Sequence, residues 1–252
     1  MRLERVLSLG FLVVALAVWE GLNRFEVIHD IILPAPTRIA VGLWTVVSLD
    51  GFARELATTL AEVLAGFGLA VLLGLGLGIV TATFETFRRA IYPYVVAFQV
   101  IPKVVFAPIF LAWFGYGIES KIVLAAVIAF FPCLINTAVG LRSTSDDEVM
   151  LMRSYVASRW QIFWRLTLPK ALPFIFAGLK TALTFALIGA VVAEFVGTYH
   201  GLGLMLETFT YALQMHLVFA VIVIVSVLGI VLYAALDFLD RRIVFWRREE
   251  RL

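Results

Sequence analysis

Ala157-Ser158-Arg159-Trp160-Gln161-Ile162-Phe163-Trp164-Arg165-Leu166-Thr167-Leu168-Pro169 is a short basic and aromatic segment in the longest polar break of an otherwise lipid-like chain. At helical spacing Trp160, Phe163 and Trp164 fall at i, i+3 and i+4, so they share one face. Arg159 and Arg165 flank that face. Leu168-Pro169 is expected to end the segment, because proline has no amide hydrogen to continue the ladder. An aromatic knob outside any apolar run is a surface offered to a partner. Which partner depends on the runs around it.

Those runs are membrane spans by composition. Of 252 residues, 62% are hydrophobic and only 15% charged, and the mean hydropathy is +1.01. A soluble domain rarely carries so little charge. A span needs roughly 20 mostly apolar residues. Six runs qualify, at residues 6–22, 56–84, 91–115, 118–141, 171–196 and 217–238. The first follows Met1-Arg2-Leu3-Glu4-Arg5 and resembles a signal peptide. Trp19-Glu20 stands where a small-residue cleavage site would be, so a retained span is the better reading. The expected class is therefore all-α: one polytopic domain over residues 1–252, with about six transmembrane helices. The single cysteine, Cys133, lies within an apolar run and reads as a small core residue.

Lysine and arginine set the orientation. With the N-terminus inside, the inner segments hold Arg2, Arg5, Arg88, Arg89, Arg142, Arg153, Arg159, Arg165, Lys170, Arg241, Arg242, Arg247, Arg248 and Arg251. The outer segments hold only Arg24, Arg38, Arg54 and Lys121. That imbalance puts both termini and the 142–170 loop in the cytoplasm of a multi-pass inner-membrane protein. Basic residues at membrane edges answer lipid headgroups, so the bilayer is a partner and nucleic acid is not.

The outer segments hold two expected surface helices. Pro36 stands near the start of one that includes Trp44. The other lies within residues 197–216, through Leu204, Met205, Phe209 and Leu213, with Gly201-Leu202-Gly203 read as a turn. In the second run Gly66, Ala70, Gly74, Gly78 and Ala82 recur every four positions. That row lets another helix approach closely, within the subunit or across a subunit seam. Pro93, Pro102 and Pro108 interrupt the third run, and Pro132 the fourth. Broken spans are tolerated where backbone faces protein or a wet cavity. The translocation path is accordingly expected near Gln99, Pro102 and Lys103, with Glu194 from the fifth run.

Glu20, Glu62, Lys103, Lys180 and Glu194 are charges within apolar runs, and such charges are functional hypotheses. Glu20 and Lys180 are near enough to an interface to snorkel. Glu62 and Glu194 are expected at similar depth, where either pairs with Lys103, or Lys103 and Glu194 contact cargo. No Gly-Lys pair occurs, so no phosphate-cradling P-loop exists, and no metal, serine-hydrolase or other catalytic constellation is present. No cofactor and no metal is expected. Transport against a gradient needs energy from a partner ATPase or from an ion gradient. An ion-coupled secondary transporter would need internal repeats, and the two halves show none that convinces.

The opening segment resembles the cytoplasmic loop of binding-protein-dependent ABC importer permeases of type I. Their pattern reads Glu-Ala-Ala, three residues, Gly, nine residues, then Ile-x-Leu-Pro. Setting its Leu-Pro on Leu168-Pro169 puts the glycine on Val156, the isoleucine on Leu166 and the Glu-Ala-Ala on Met150-Leu151-Met152. The second half matches, continuing through Lys170-Ala171-Leu172-Pro173 and Ala177-Gly178-Leu179. The first half departs: the nearest carboxylates to Met150 are Asp146, Asp147 and Glu148. If the glycine position needs a positive φ, valine there costs about 1–3 kcal/mol. The wider chain is similar to the nitrate/sulfonate/taurine branch of these permeases. The similarity rests on Leu33-Pro34-Ala35-Pro36, Ile101-Pro102-Lys103, Ala107-Pro108-Ile109, Trp113-Phe114-Gly115-Tyr116-Gly117 and Gly189-Ala190-Val191-Val192-Ala193-Glu194-Phe195-Val196-Gly197. The resemblance implies a permease half-channel paired with a second copy, a homodimer in the simplest case. It implies a cytoplasmic ATP-binding subunit and an external or periplasmic solute-binding protein as further partners. It also implies coupling to the ATPase through Ser158, Arg159, Trp160, Phe163, Trp164, Leu168 and Pro169.

Overall fold

The computed structural model describes residues 2–246, leaving aside the side chains of residues 2–6, 8 and 9. Both chain ends, with Arg247, Arg248 and Arg251, lie outside the described residues, as do the side chains of Arg2 and Arg5. The described secondary structure is entirely helical. The helices are α1 (Arg2–Arg24), α2 (Pro36–Val47), α3 (Phe52–Thr83), α4 (Glu85–Val100), α5 (Ala107–Phe114), α6 (Ile118–Leu141), α7 (Asp146–Ser154), α8 (Arg159–Ile162), α9 (Leu168–Val196), α10 (Leu202–Tyr211) and α11 (Met215–Ile243). A 3-10 turn, Lys103–Phe106, precedes α5, and a π turn, Phe163–Thr167, joins α8 to α9.

Among the described residues, α3, α6, α11 and the continuous stretch Arg159–Val196 are long and apolar enough to cross a membrane. A fifth span forms if α4 and the Lys103–Phe114 segment count together, bent by 84° at their break. The apolar run at 6–22 falls in α1, part of whose side chains are not described. Among the described residues five of the six expected runs are thus accounted for, four as unbroken spans and one as a broken span.

The core is α6 sandwiched between α3 and α9. Apolar surface gains little by leaving lipid, so these helices associate through close packing at small residues. A Cβ at Gly66 would lie 2.6 Å from Ala125 Cβ, at Gly74 2.8 Å from Cys133 Cβ, and at Gly78 2.7 Å from Thr137 Cβ. The row at every fourth position of α3 is thus the face that meets α6, running parallel to it. Cys133 is a buried packing residue against Gly74. On the other side of α6, Gly178 abuts Asn136 and Gly189 abuts Ala125, so α9 runs antiparallel.

The remaining elements hang on this triad. The helix α11 leans on α2 and α10, where Val46, Leu202, Met205, Leu217, Ala220 and Val221 form a second apolar cluster. Pro36 opens α2 as its spacing suggests, and Trp44 stays exposed. Glu20 of α1 does not simply reach for the interface. Its carboxylate accepts from the Thr37 amide at 3.2 Å and hydroxyl at 2.9 Å, tying α1 to the first turn of α2. Lys180 also departs from the snorkelling expectation. It lies between Asp237 and Asp240 of α11, at 2.5 and 2.6 Å, which binds α9 to α11.

Two glycines of α3 separate packing from helix propensity. Gly78→Val is expected to lower stability by roughly 1–3 kcal/mol, because the added methyls overpack the α6 contact. Gly76 has nothing within 4 Å of its Cβ position. Gly76→Ala is expected to raise stability by about 1 kcal/mol through helix propensity alone. Thermal unfolding of both variants in lipid nanodiscs checks the pair.

Candidate functional site: an aromatic docking helix and a broken span

The 142–170 loop is built from local hydrogen bonds. Ser145 and Glu148 form a capping box at the start of α7. Glu148 also takes Lys170 Nζ at 2.5 and 2.6 Å, joining α7 to the first turn of α9. Lys170 first, and the Ser145 amide and hydroxyl next, hold the Glu148 carboxyl down at about 2. It therefore stays ionised throughout the physiological range. No carboxylate stands at Met150, and Glu148 is the acidic residue of this loop that bonds to a span.

The turn after α7 keeps the shape a glycine would give it. Val156 has φ +57°, is 90% exposed, and occupies the left-handed region. The Val156 amide donates to the Arg153 carbonyl at 2.8 Å, and the Ala157 amide to the Met152 carbonyl at 3.1 Å. This pair of bonds is a Schellman ending, whose left-handed position is usually glycine. The valine bears the strain rather than altering the turn.

A second capping box, Ser158 with Gln161, then starts α8. Trp160, Phe163 and Trp164 cluster on one face: ring centroids lie 5.6 Å apart for the two tryptophans, 6.1 Å for Trp160–Phe163 and 5.5 Å for Phe163–Trp164. Trp160 is 69% exposed and Trp164 51%, whereas Ile162 on the opposite side is buried. Leu168-Pro169 does not end the helix as the sequence suggests. The backbone widens to a π turn over Phe163–Thr167, with the Leu168 amide reaching back to the Phe163 carbonyl. Pro169 then falls in the first turn of α9, where its missing amide costs little. Residues 159–196 run on as one stretch of 38.

The broken span lies apart from this loop. Pro102 stands at the start of the 3-10 turn, and Gln99 and Pro102 are exposed. Lys103 Nζ donates to the Gln99 carbonyl at 2.9 Å and sits 4.6 Å from the centre of the Phe131 ring of α6. That carbonyl is one freed by the break, and the aromatic face favours the cation. Lys103 has no carboxylate partner among the described residues.

Glu62 and Glu194 are elsewhere, and the cation beside them is Lys121 rather than Lys103. Lys121, read from sequence as an outer-loop charge, is fully buried one turn into α6, donating to the Tyr116 and Gly117 carbonyls at 2.8 and 3.0 Å. Glu194 is buried with both oxygens engaged: Thr59 Oγ1 donates to one and the Gly203 amide to the other, each at 2.7 Å. The Leu202 amide donates to Thr59 Oγ1 at 2.8 Å, and Glu55 accepts from the Gly201 amide and faces His200 Nδ1 at 3.1 Å. Three consecutive amides at the start of α10 are thus held by side chains of α3 and α9. Gly201 and Gly203 are required here because a Cβ at either would overlap Glu194. Glu194 is fully buried in this arrangement. Sequence reading missed Glu55 and Thr59, although Glu55, Thr59 and Glu62 at i, i+4 and i+7 share a face of α3.

Residues 70–245 match the family model described as binding-protein-dependent transport system inner membrane component. The chain is 35% identical over 240 residues to the formylaminopyrimidine transport permease protein ThiX of Halalkalibacterium halodurans, covering 95% of each chain. It is 34% identical to the riboflavin transport system permease protein RibX of Chloroflexus aurantiacus, covering 93% of this chain and 88% of the relative. It is 30% identical to the taurine transport system permease protein TauC of Escherichia coli, covering 96% and 90%. Among solved structures, an inward-facing conformation of the MetNI methionine ABC transporter matches with a TM-score of 0.61 at 21% identity. That match covers 76% of this chain and 94% of the other, and it shows the type I importer permease fold.

Val156→Gly is expected to stabilise the protein by about 1 kcal/mol, since glycine takes the left-handed conformation without the steric cost borne by valine. Thermal unfolding checks it, and an unchanged or lower midpoint contradicts the strain.

Proposed function

The chain belongs to the family of binding-protein-dependent transport system inner membrane components, and we propose that it forms the translocation path of an ATP-driven importer of a small organic or anionic solute. Its family works with an ATP-binding subunit and a solute-binding protein, and ATP is hydrolysed on that separate subunit. The observation that carries the rest is the pair of exposed indoles, Trp160 and Trp164, clustered on half-buried Phe163 and mounted on a helix that runs on unbroken into α9. In this reading the 142–170 loop and both termini face the cytoplasm, as the lysine and arginine distribution favours. The segment from Ser158 to Pro169 docks into a groove of the ATPase. Aromatic anchors seated in a pocket supply the strongest part of such an interface. Arg159 supports the docked face, and Leu168-Pro169 passes its displacement to the span.

A second copy of this chain completes the path, giving a homodimer. The break at Gln99, Pro102 and Lys103 faces that path, where the half-buried lysine meets cargo. Glu194 acts from behind, through α10. The aromatic surroundings of the break (Tyr92, Tyr94, Phe98, Phe106 and Phe110) suit a flat organic molecule. The pyrimidine and flavin named for two relatives are of that kind.

Trp164→Asp is expected to abolish co-purification of the ATPase subunit while membrane insertion is unchanged. ATPase association at the normal level would overturn the docking assignment. Lys103→Ala is expected to reduce solute uptake at least tenfold in an assembled complex. Normal uptake by that variant removes Lys103 from the path.

A further inference from the structure

Two carboxyl groups lie near each other where neither reaches water. Glu62 of α3 and Glu194 of α9 are 1% and 0% exposed, and Glu62 stands one turn along α3 from Thr59, whose hydroxyl donates to Glu194 at 2.7 Å. Ionised carboxyl groups only accept, so a hydrogen bond between two of them requires a proton on one. Two like charges close together at low dielectric do not both persist.

The surroundings assign that proton. Glu194 receives the Thr59 hydroxyl and the Gly203 amide, both at 2.7 Å, which is the setting of an ionised acceptor. Glu62 Oε2 is buried with no donor in reach. An ionised oxygen left that way is costly, whereas a hydroxyl directed at Glu194 has its acceptor. Charge balance agrees. Lys121 of α6 is the buried cation acting on the pair, and one negative charge answers it. Glu119, at the start of α6, acts on Lys121. On the α10 side, Glu55 of α3 and His200 of the connecting loop bond to each other, and Glu55 to the Gly201 amide. The first turn of α10 contributes only amides.

We propose that Glu62 and Glu194 form a binding site for a single proton, carried by Glu62 and donated to Glu194, which leaves Glu194 as the one charged acceptor for the start of α10. Glu62 is therefore a positioning residue: it touches neither cargo nor ATPase, and acts through Glu194 on α10. Loss of its proton places two charges beside one lysine and pushes the carboxylates apart. Glutamine at position 62 is a permanently neutral donor of nearly the same shape.

The test is infrared difference spectroscopy of the full chain in lipid nanodiscs, wild type against Glu62→Gln. The expected result is a carboxylic-acid C=O band in the wild type that shifts down in D2O and is absent from Glu62→Gln. Identical spectra in that region overturn the proposal. If Glu62→Gln fails to fold, Lys121→Met decides. Removing the cation draws a second proton onto the pair, so the band gains the intensity of a second acid. An unchanged band in Lys121→Met overturns the assignment as well.

Discussion

Close backbone approach is the constraint on which this structure depends. Lipid is as apolar as leucine, so helices in a bilayer gain little by hiding apolar surface from it and must gain by dispersion at short range. Gly66, Gly74 and Gly78 let α3 lie against α6, while Gly178 and Gly189 let α9 lie against its other side. Each contact leaves no space for a methyl group. The triad is fixed in register as well as in distance, because a slide along the axis would set side chains against these gaps. Every polar arrangement described above inherits its geometry from that register.

The cluster around Glu194 shows the dependence. Thr59 on α3, Lys121 on α6 and Glu194 on α9 meet because three long helices are in step near the same end. Buried charge inside a span is tolerated when it is paired and its hydrogen bonds are filled. Here the surplus acceptors are spent on the amides of Gly201, Leu202 and Gly203, which a helix start leaves unbonded. A helix N-terminus also favours nearby negative charge. The spans thereby fasten an outlying helix with hydrogen bonds, and its apolar side, through Leu202 and Met205, seals onto α11.

Sequence reading caught what is periodic and missed what is brought together from far apart. The run at 118–141 became α6 without revision, and the row of small residues on α3 correctly marked a packing face. The proline break in the third run is real, with its 84° bend. Lys121 was misread because it stands at the edge of an apolar run, and only the fold shows that its side chain turns inward to the Tyr116 and Gly117 carbonyls. Lys103 had looked like the natural partner for buried carboxylates because depth along a span says nothing about azimuth around it. Pro169 was taken as a stop because a proline inside a regular α-helix disrupts the ladder, yet one extra residue per turn at Phe163–Thr167 absorbs the mismatch. Such a bulge has no signature in the sequence. At Val156 the opposite held: a motif position reserved for glycine indicated a left-handed turn, and the turn is there with valine in it.

The π turn also decides what α9 can transmit. A helix that stopped at Leu168 would leave the aromatic triad on a flexible tether, and a push on Trp160 or Trp164 would be lost in the joint. The uninterrupted helical stretch from Arg159 to Val196 instead makes one lever, at about 1.5 Å per residue long enough to cross a bilayer. Its near end carries the exposed aromatic face, and Glu148 grips its first turn through Lys170. Its far end carries Glu194, bonded to the first turn of α10. If the aromatic face docks as proposed, a displacement applied there has a route to α10 through covalent backbone and the hydrogen bond from the Gly203 amide to Glu194, with no loop in between.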